Sequence, residues 1–392
     1  MTDFDVNRNS GSFWMKTCPK TNFNPLKNGL KVDTVILGGG IAGITTATLL
    51  KDLGYSIAII ESDRIVKDVT LGTTAKISVA PNMIYNNLIK NLGQVKAQMY
   101  ATANGKALEK IGDIVFNKKI ECEFHRTPLY IYTESQDKVE KIKEEFLAAK
   151  KLQLPVSYTN NIPLPFKTIA GLKYENQAQF HPRKYLLGLA EDLNGENNYI
   201  FEKTRAITVK EGAINEVVTD KGSIFADNVV ITTHTPVYDP DNLKSHLHPA
   251  RSYVLDLYIN GEFPDGMFID FDPVHTYRTT PTEKGTLIIV AGEHSDMRVQ
   301  NLNEYYMRLE NYAREHLDIK SIEYRWSSHD NSSDDGLPLI GKTSSENIYV
   351  ATGFGFWGMN NGTTSAMIIS DMIDGKNNPL ITLFDPLRFK SG

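Results

Sequence analysis

Gly38-Gly39-Gly40-Ile41-Ala42-Gly43 is a stretch built to hold phosphate. It follows an apolar run, Val32 to Leu37, and opens a helix-like stretch, Ile41 to Leu53. A second apolar run, Ser56 to Ile60, ends on Glu61 and Ser62. The pattern predicts strand, glycine turn, helix, strand and acid. Glycines at these positions permit a tight turn, close approach of backbone to a pyrophosphate, and close helix–strand packing. The helix start offers free N–H groups and the positive end of a dipole to the phosphates. Glu61, about 20 residues further on, is placed to accept hydrogen bonds from ribose hydroxyls. Gly38, Gly40, Ile41, Ala42 and Gly43 with Glu61 therefore predict an adenine-dinucleotide site.

A second cluster, Gly353-Phe354-Gly355-Phe356-Trp357-Gly358-Met359, also follows an apolar run, Ile348 to Thr352, and precedes a helical pattern from about Thr363 to Ile373. A second nucleotide site would need another strand ending in an acid. Here Gly375-Lys376-Asn377-Asn378-Pro379 follows instead. The cluster reads as a helix N-terminus with pliant backbone, aimed at an anionic group of the first ligand.

The elements that must position these motifs belong to a large globular chain. Its 392 residues are 41% hydrophobic and 23% charged, sufficient for two domains around a sizeable core. A net charge of -5 excludes a phosphate-neutralising nucleic-acid surface. No apolar stretch is long enough to span a bilayer and Met1 to Ser10 is polar, so a cytoplasmic location is expected. Two cysteines, Cys18 and Cys122, build neither a disulfide framework nor a four-cysteine site. Helices are predicted at Tyr85–Gly93, Val95–Ile111, Gln136–Lys151, Arg183–Leu193 and Leu302–His316. Strands are predicted at Phe124–Thr133, Tyr199–Val209, Ala213–Asp220, Asn228–Thr233, Ser252–Asn260, Val274–Thr279 and Thr286–Ala291. The proline-bearing stretch 155–183 reads as a crossover, and residues 1–30 as an arm draped over the surface.

With both glycine clusters placed, the chain resembles the D-amino-acid-oxidase-like family of FAD-dependent oxidoreductases. The likeness covers roughly residues 10–389. It is carried by Val35 to Gly43, by Gly72-Thr73-Thr74-Ala75-Lys76, and by Asp335-Gly336-Leu337-Pro338-Leu339-Ile340-Gly341 with Tyr349 to Phe354. Ser12-Phe13-Trp14, Pro19, Arg325-Trp326-Ser327 and Trp357-Gly358-Met359 resemble a subgroup that continues into a Rieske iron–sulfur module after the counterpart of Asp385 to Phe389. This sequence ends at Gly392, so electrons are expected to pass to oxygen or to a separate carrier protein. The resemblance implies an α/β fold: a glutathione-reductase-like, Rossmann-type FAD domain from residues 31–81, 166–235 and 325–386. A second α+β domain on an antiparallel sheet would comprise residues 82–165 and 236–324. It implies ADP on Gly38 to Gly43 and Glu61, with Thr73, Thr74 and Ala75 along the middle of FAD. Val209 would lie near the adenine, and Thr233 and Gly353 to Met359 near the rest. Thr232-Thr233-His234 departs from the family, which often has a glycine there.

The implied reaction is oxidation of a C–N bond of an amine or amino acid by hydride transfer to flavin N5. It needs orienting groups more than acid–base catalysis. Candidates are Lys76, as a cation for an anionic substrate or for oxygen chemistry; Tyr253, following Arg251, and Trp357, as cavity walls; and His275-Thr276-Tyr277-Arg278. Strand alternation puts His275 and Tyr277 on one face and Arg278 on the other, so at most one of these options holds. Gly292-Glu293-His294 is a candidate for the cavity mouth. His181 reads as a cap or packing residue and Asp334-Asp335 as turn chemistry. His246 and His248 lack a convergent third ligand, so no metal is expected. The expected activity is an amine or amino-acid oxidase or dehydrogenase. The alternative is a flavin-binding interaction or assembly protein without turnover.

Overall fold

Within the strand Leu30–Leu37 the stretch Val35–Leu37 is apolar on both faces, and the strand's backbone groups are satisfied because both of its edges are paired. Ile57–Ile60 lies parallel on one side and Gly222–Ile231 parallel on the other. Such a strand needs no polar alternation, and Val35, Ile36 and Leu37 are wholly buried. Asn198–Phe201 extends the sheet beyond Ile57–Ile60. Ile348–Thr352 and then Leu339–Lys342 extend it beyond Gly222–Ile231. The hairpin partners Ala206–Lys210 and Asn215–Thr219 complete eight strands, and Asp220-Lys221 turns the chain from Asn215–Thr219 into Gly222–Ile231. These features are those of a computed structural model that describes residues 11–390. Residues 1–10, the start of the predicted arm, lie outside the described residues.

A second sheet has nine strands. Its order is Ile319–Ser333, Leu247–Ile259, Gly285–Asp296, Val274–Thr282, Met267–Phe271, His125–Thr133, Ala170–Gln179 and Lys76–Ile77, with Val156–Thr159 also pairing to Ala170–Gln179. All its pairings are antiparallel except His125–Thr133 with Met267–Phe271. The α/β fold with a second part on a mostly antiparallel sheet is therefore what forms.

Several predicted elements differ. Stretch 155–183 is no crossover but contributes two strands to the nine-stranded sheet. Its prolines fall before, between or after those strands, where a missing N–H breaks no ladder bond. Ala170–Gln179 thus pairs outside the dinucleotide-binding sheet, although 166–235 was assigned there. Tyr199–Val209 is two strands, Asn198–Phe201 and Ala206–Lys210. The two helices expected after Tyr85 run together as Tyr85–Asn117, bent where Gly93 takes φ 81°. The last long helix starts early, at Gly358. The described part of the arm is largely exposed, as expected, but it is anchored by the buried Ser12, Phe13, Trp14 and Leu26, and the Trp14 indole N–H donates to the Thr73 carbonyl at 2.8 Å.

Candidate cofactor and active site

The phosphate cradle is shaped by space that only glycine leaves. Gly38 sits at φ 114°, in the region that favours glycine. A Cβ on Gly43 would stand 2.0 Å from the Gly38 carbonyl oxygen, and one on Gly39 2.5 Å from Ile65. Helix Ile41–Asp52 begins at Gly40 with no side-chain cap. Glu61 Oε2 accepts the Gly39 N–H at 3.0 Å, so the predicted acid closes on the turn itself. Thr232, in the place where the family often has glycine, donates its hydroxyl to the Leu37 carbonyl at 2.9 Å and pins the turn.

The second glycine cluster arrives beside the first. Gly362 lies so close to Ile41 that a Cβ would be 2.9 Å from its Cγ2, so helix Gly358–Ile373 starts next to helix Ile41–Asp52. The approach uses three residues at positive φ, Gly353, Gly355 and Phe356. Trp357 is the N-cap and gives no capping side chain, which leaves first-turn N–H groups open. Asp330 Oδ2 accepts the Phe356 N–H at 2.7 Å and steadies the approach. Burial raises Asp330 to about 6 and lowers its neighbour His234 to about 4.

Both helix starts open into one cavity of about 450 Å³ between the two sheets. Of the residues expected at the cofactor, Gly38, Gly40, Ile41, Ala42, Glu61, Ser62, Thr73, Thr74, Lys76, Thr233, Gly353, Phe354, Trp357, Gly358 and Met359 line this cavity. Gly43, Ala75, Val209 and Gly355 do not. Gly43 serves helix–strand contact, while Ala75 at φ 56° is fully buried in the loop. Val209 packs into the eight-stranded sheet's own core, and its strand meets the cavity through Ala206 instead. Gly355 turns the chain and donates its N–H to Asn331.

The nine-stranded sheet forms the far wall, and here parity decides. Ser252, Val254, Ile269, Val274, Thr276 and Ala291 face the cavity. Tyr253, His275 and Tyr277 therefore point the other way. Tyr253 stacks on Tyr305 and bonds Ser295, and the His275 ring lies 3.6 Å from that of Tyr312 on helix Leu302–His316. Their assignment to substrate is corrected, because adjacent strand residues take opposite faces. Arg278 shares the face of Thr276 but sits beyond the cavity. Its guanidinium donates to the carbonyls of Thr74, Ala75, Phe180 and Thr279 and lies over Trp14. It is a buried clamp on the Thr73–Lys76 loop, not a substrate anchor. Glu293 also turns away, to His275, while its neighbours Gly292 and His294 line the wall. The register of Ser252 and Tyr253 against His294 and Gly292 leaves Glu293 as an extra, bulged residue at φ 52°.

Lys76 lies on the cavity wall, 6% exposed. Its Nζ donates to Thr276 Oγ1 at 2.8 Å and Thr74 Oγ1 at 3.0 Å. Burial, seconded by the Arg278 charge, pushes its pKa well below the usual lysine range. His181 is the expected cap: its Nδ1 accepts the Lys184 N–H of helix Pro182–Leu193. His246 and His248 both bond one carboxylate, Asp334, while Asp335 accepts the Leu337 N–H in the predicted turn and pairs with Arg388. Sequence reasoning missed Arg64, His234 and Thr276 on the wall. Only Thr276 had a signal, as the residue between two proposed strand candidates.

The cavity fits an extended dinucleotide on its own terms. Arg64 Nε, Thr233 Oγ1 and His234 Nε2 are buried with no partner in the protein, and all three residues line it. Such groups are costly unless a ligand satisfies them. Two open helix starts and unsatisfied polar groups lining one cavity suit a dinucleotide. Residues 33–372 match the DAO family, described as FAD dependent oxidoreductase, and the chain belongs to that family. It is 34% identical over 384 residues to YhfW of Bacillus subtilis, whose name describes a Rieske 2Fe-2S iron-sulfur protein; the match covers 96% of this chain and 75% of YhfW. A D-amino acid dehydrogenase of Cereibacter sphaeroides is 27% identical over 202 residues, 49% of this chain and 45% of that protein. Among solved structures, L-amino acid deaminase from Proteus vulgaris has a TM-score of 0.76 at 17% identity, covering 94% of this chain and 97% of that one. L-proline dehydrogenase from P. horikoshii has a TM-score of 0.76 at 19% identity, covering 93% and 99%. These two likenesses show the fold.

Proposed function

We propose that this FAD-dependent oxidoreductase oxidises a C–N bond of an amino acid or amine. FAD, when bound, supplies a two-electron acceptor for a hydride. The observation that carries the reading is the far wall: Val254, Ile269, Val274 and Ala291 give it an apolar stretch, bordered by Ser252 and His294 and by the polar pair Lys76 and Thr276. An apolar stretch excludes water, and a few polar groups beside it orient a small polar substrate.

In this reading the ADP half lies on Gly38 to Ala42 with Glu61 at the ribose, and Thr73 and Thr74 flank the middle. The start of helix Gly358–Ile373 faces the flavin ring, where its dipole favours negative charge. The names of an amino-acid dehydrogenase and an amino-acid deaminase among similar proteins support the substrate class. Similarity to YhfW favours one further possibility, that electrons leave to an iron–sulfur carrier rather than to oxygen.

The test is anaerobic titration of the purified yellow protein with a panel of amino acids and amines. Loss of oxidised-flavin absorbance with at least one of them is expected. A flavin that none of them reduces, though dithionite does, would sink the reading in favour of a non-turnover flavoprotein. Peroxide yield in air, compared with turnover on an artificial acceptor, then separates oxidase from dehydrogenase.

A further inference from the structure

The cavity holds one lysine in an unusual setting. Lys76 is on the short strand Lys76–Ile77, held at the edge of the nine-stranded sheet by Gln179 and Ala178. No carboxylate among the described residues pairs with it; both Nζ contacts are to neutral threonine hydroxyls. A buried ammonium ordinarily carries such a partner. The charged group that acts on it is a second cation, Arg278, on the adjoining Val274–Thr282 strand. Helix Gly358–Ile373, which packs against Lys76–Ile77, has no acid in its first turn, and Ala170–Gln179 offers the neutral Gln179. The other ionisable residues that line the cavity are Glu61, Arg64, Lys67, Asp68, Arg205, His234, His294 and Asp330, and among the described residues none of them bonds or ion-pairs with Lys76. Burial lowers both histidines, which favours their neutral forms, and raises Asp330 to about 6, so its carboxylate is still the major form at pH 7.

The hydrogen bonds count the same way. A neutral amine has two N–H groups and one lone pair, whereas an ammonium has three N–H groups and no acceptor. Thr74 and Thr276 accept two N–H groups, as many as a neutral amine has, and among the described residues no third acceptor meets Nζ for the extra N–H of an ammonium. A substrate amine reaches the cavity as an ammonium at neutral pH, with no lone pair on nitrogen. It must lose a proton before its α-carbon can release a hydride, because the departing electron pair is replaced by that nitrogen lone pair.

We propose that Lys76 is the base that receives this proton: the substrate N–H bond breaks, an Nζ–H bond forms, and the positive charge moves from substrate to Lys76. No electrons change hands in the step, and the proton returns to water when product leaves. This rests on the amine-oxidation reading above and gives Lys76 a role distinct from anchoring a carboxylate.

Two measurements on the FAD-loaded protein test it. In the first, the anaerobic rate of flavin reduction by a substrate amine is followed from pH 6 to pH 10 for wild type, Lys76→Met and Lys76→Arg, each with its flavin content verified. The wild-type rate is expected to level off once Lys76 is neutral. Lys76→Met should be slower by about 10²–10⁴-fold at pH 7. Its rate should climb about tenfold per pH unit and approach wild type near pH 10, where the substrate amine is free. Lys76→Arg should resemble Lys76→Met, since arginine stays charged. A deficit equal at every pH, or an active Lys76→Arg, assigns Lys76 to anchoring and overturns the proposal. In the second, competitive acetylation with acetic anhydride, read by mass spectrometry, gives the Lys76 titration directly and needs no substrate. Labelling with the pH profile of a surface lysine overturns the base assignment on its own. If no amine reduces the wild-type flavin while Lys76 labels as a neutral amine, the amine-oxidation reading is what fails, and the base role falls with it.

Discussion

Gly43 and Arg278 show how single side chains set this site without touching a ligand. A methyl on Gly43 would overlap the Gly38 carbonyl, so Gly43→Ala must push helix Ile41–Asp52 off its strand. We expect a loss of about 1–3 kcal/mol, typical of overpacking, together with reduced flavin per mole of protein. Thermal denaturation and the visible spectrum measure the two effects. Arg278 is 1% exposed and gathers the Thr74, Ala75 and Phe180 carbonyls around one guanidinium. Burial lowers its pKa to about 9, and Asp256 on the same face opposes that. Arg278→Met should cost about 1–3 kcal/mol, because it leaves the Thr74, Ala75 and Phe180 carbonyls without their donor and frees the loop. A variant of full stability that merely binds substrate more weakly would reinstate Arg278 as a substrate anchor.

At the scale of elements, the arm and helix Pro182–Leu193 are joined through His181. Its Nε2 meets Thr17 Oγ1 at 2.9 Å, its Nδ1 caps the helix, and its ring packs edge-on against Trp14. Burial, with help from Lys184, lowers its pKa from 6.5 to about 3. A histidine with a depressed folded pKa is neutral in the native state and charged in the unfolded one between those values. The unfolded state then binds more protons, so stability falls as pH drops from 6.5 toward 3. Compared with His181→Gln, which cannot titrate, the wild type should lose a few kcal/mol across that window in urea denaturation. Parallel pH curves for the two proteins would show that another group drives the acid sensitivity.

For the whole molecule, the arm links the two sheets around the cavity. Trp14 holds the Thr73 carbonyl, Arg183 reaches both Val66 and Pro19, and Glu202 accepts from Thr21 and the Phe23 N–H. Removing residues 1–26 should lower the melting temperature and speed flavin release, since Thr73 and Val66 both line the cavity. Unchanged flavin retention in the truncated protein would reduce the arm to a passive strap. No helix among the described residues is long and apolar enough to cross a membrane.

The local code was sufficient for the cradle. Strand, glycine turn and helix are short-range consequences of residue type, so Gly38 to Ala42 and Glu61 were legible from spacing alone. The second glycine cluster was legible as a helix start for the same reason. Which ligand-facing surface each strand residue occupies was not legible. His275, Tyr277 and Tyr253 were chosen for their chemistry, but face is set by pairing register and by the bulge at Glu293, which depend on partners far along the chain. The proline-bearing strands at 156–179 were hidden likewise, because the neighbours that complete their ladder lie elsewhere in the sequence. Lys76 stood out by type, whereas its burial, its two threonine partners and its lack of an acid exist only once residues 74, 76 and 276 are brought together.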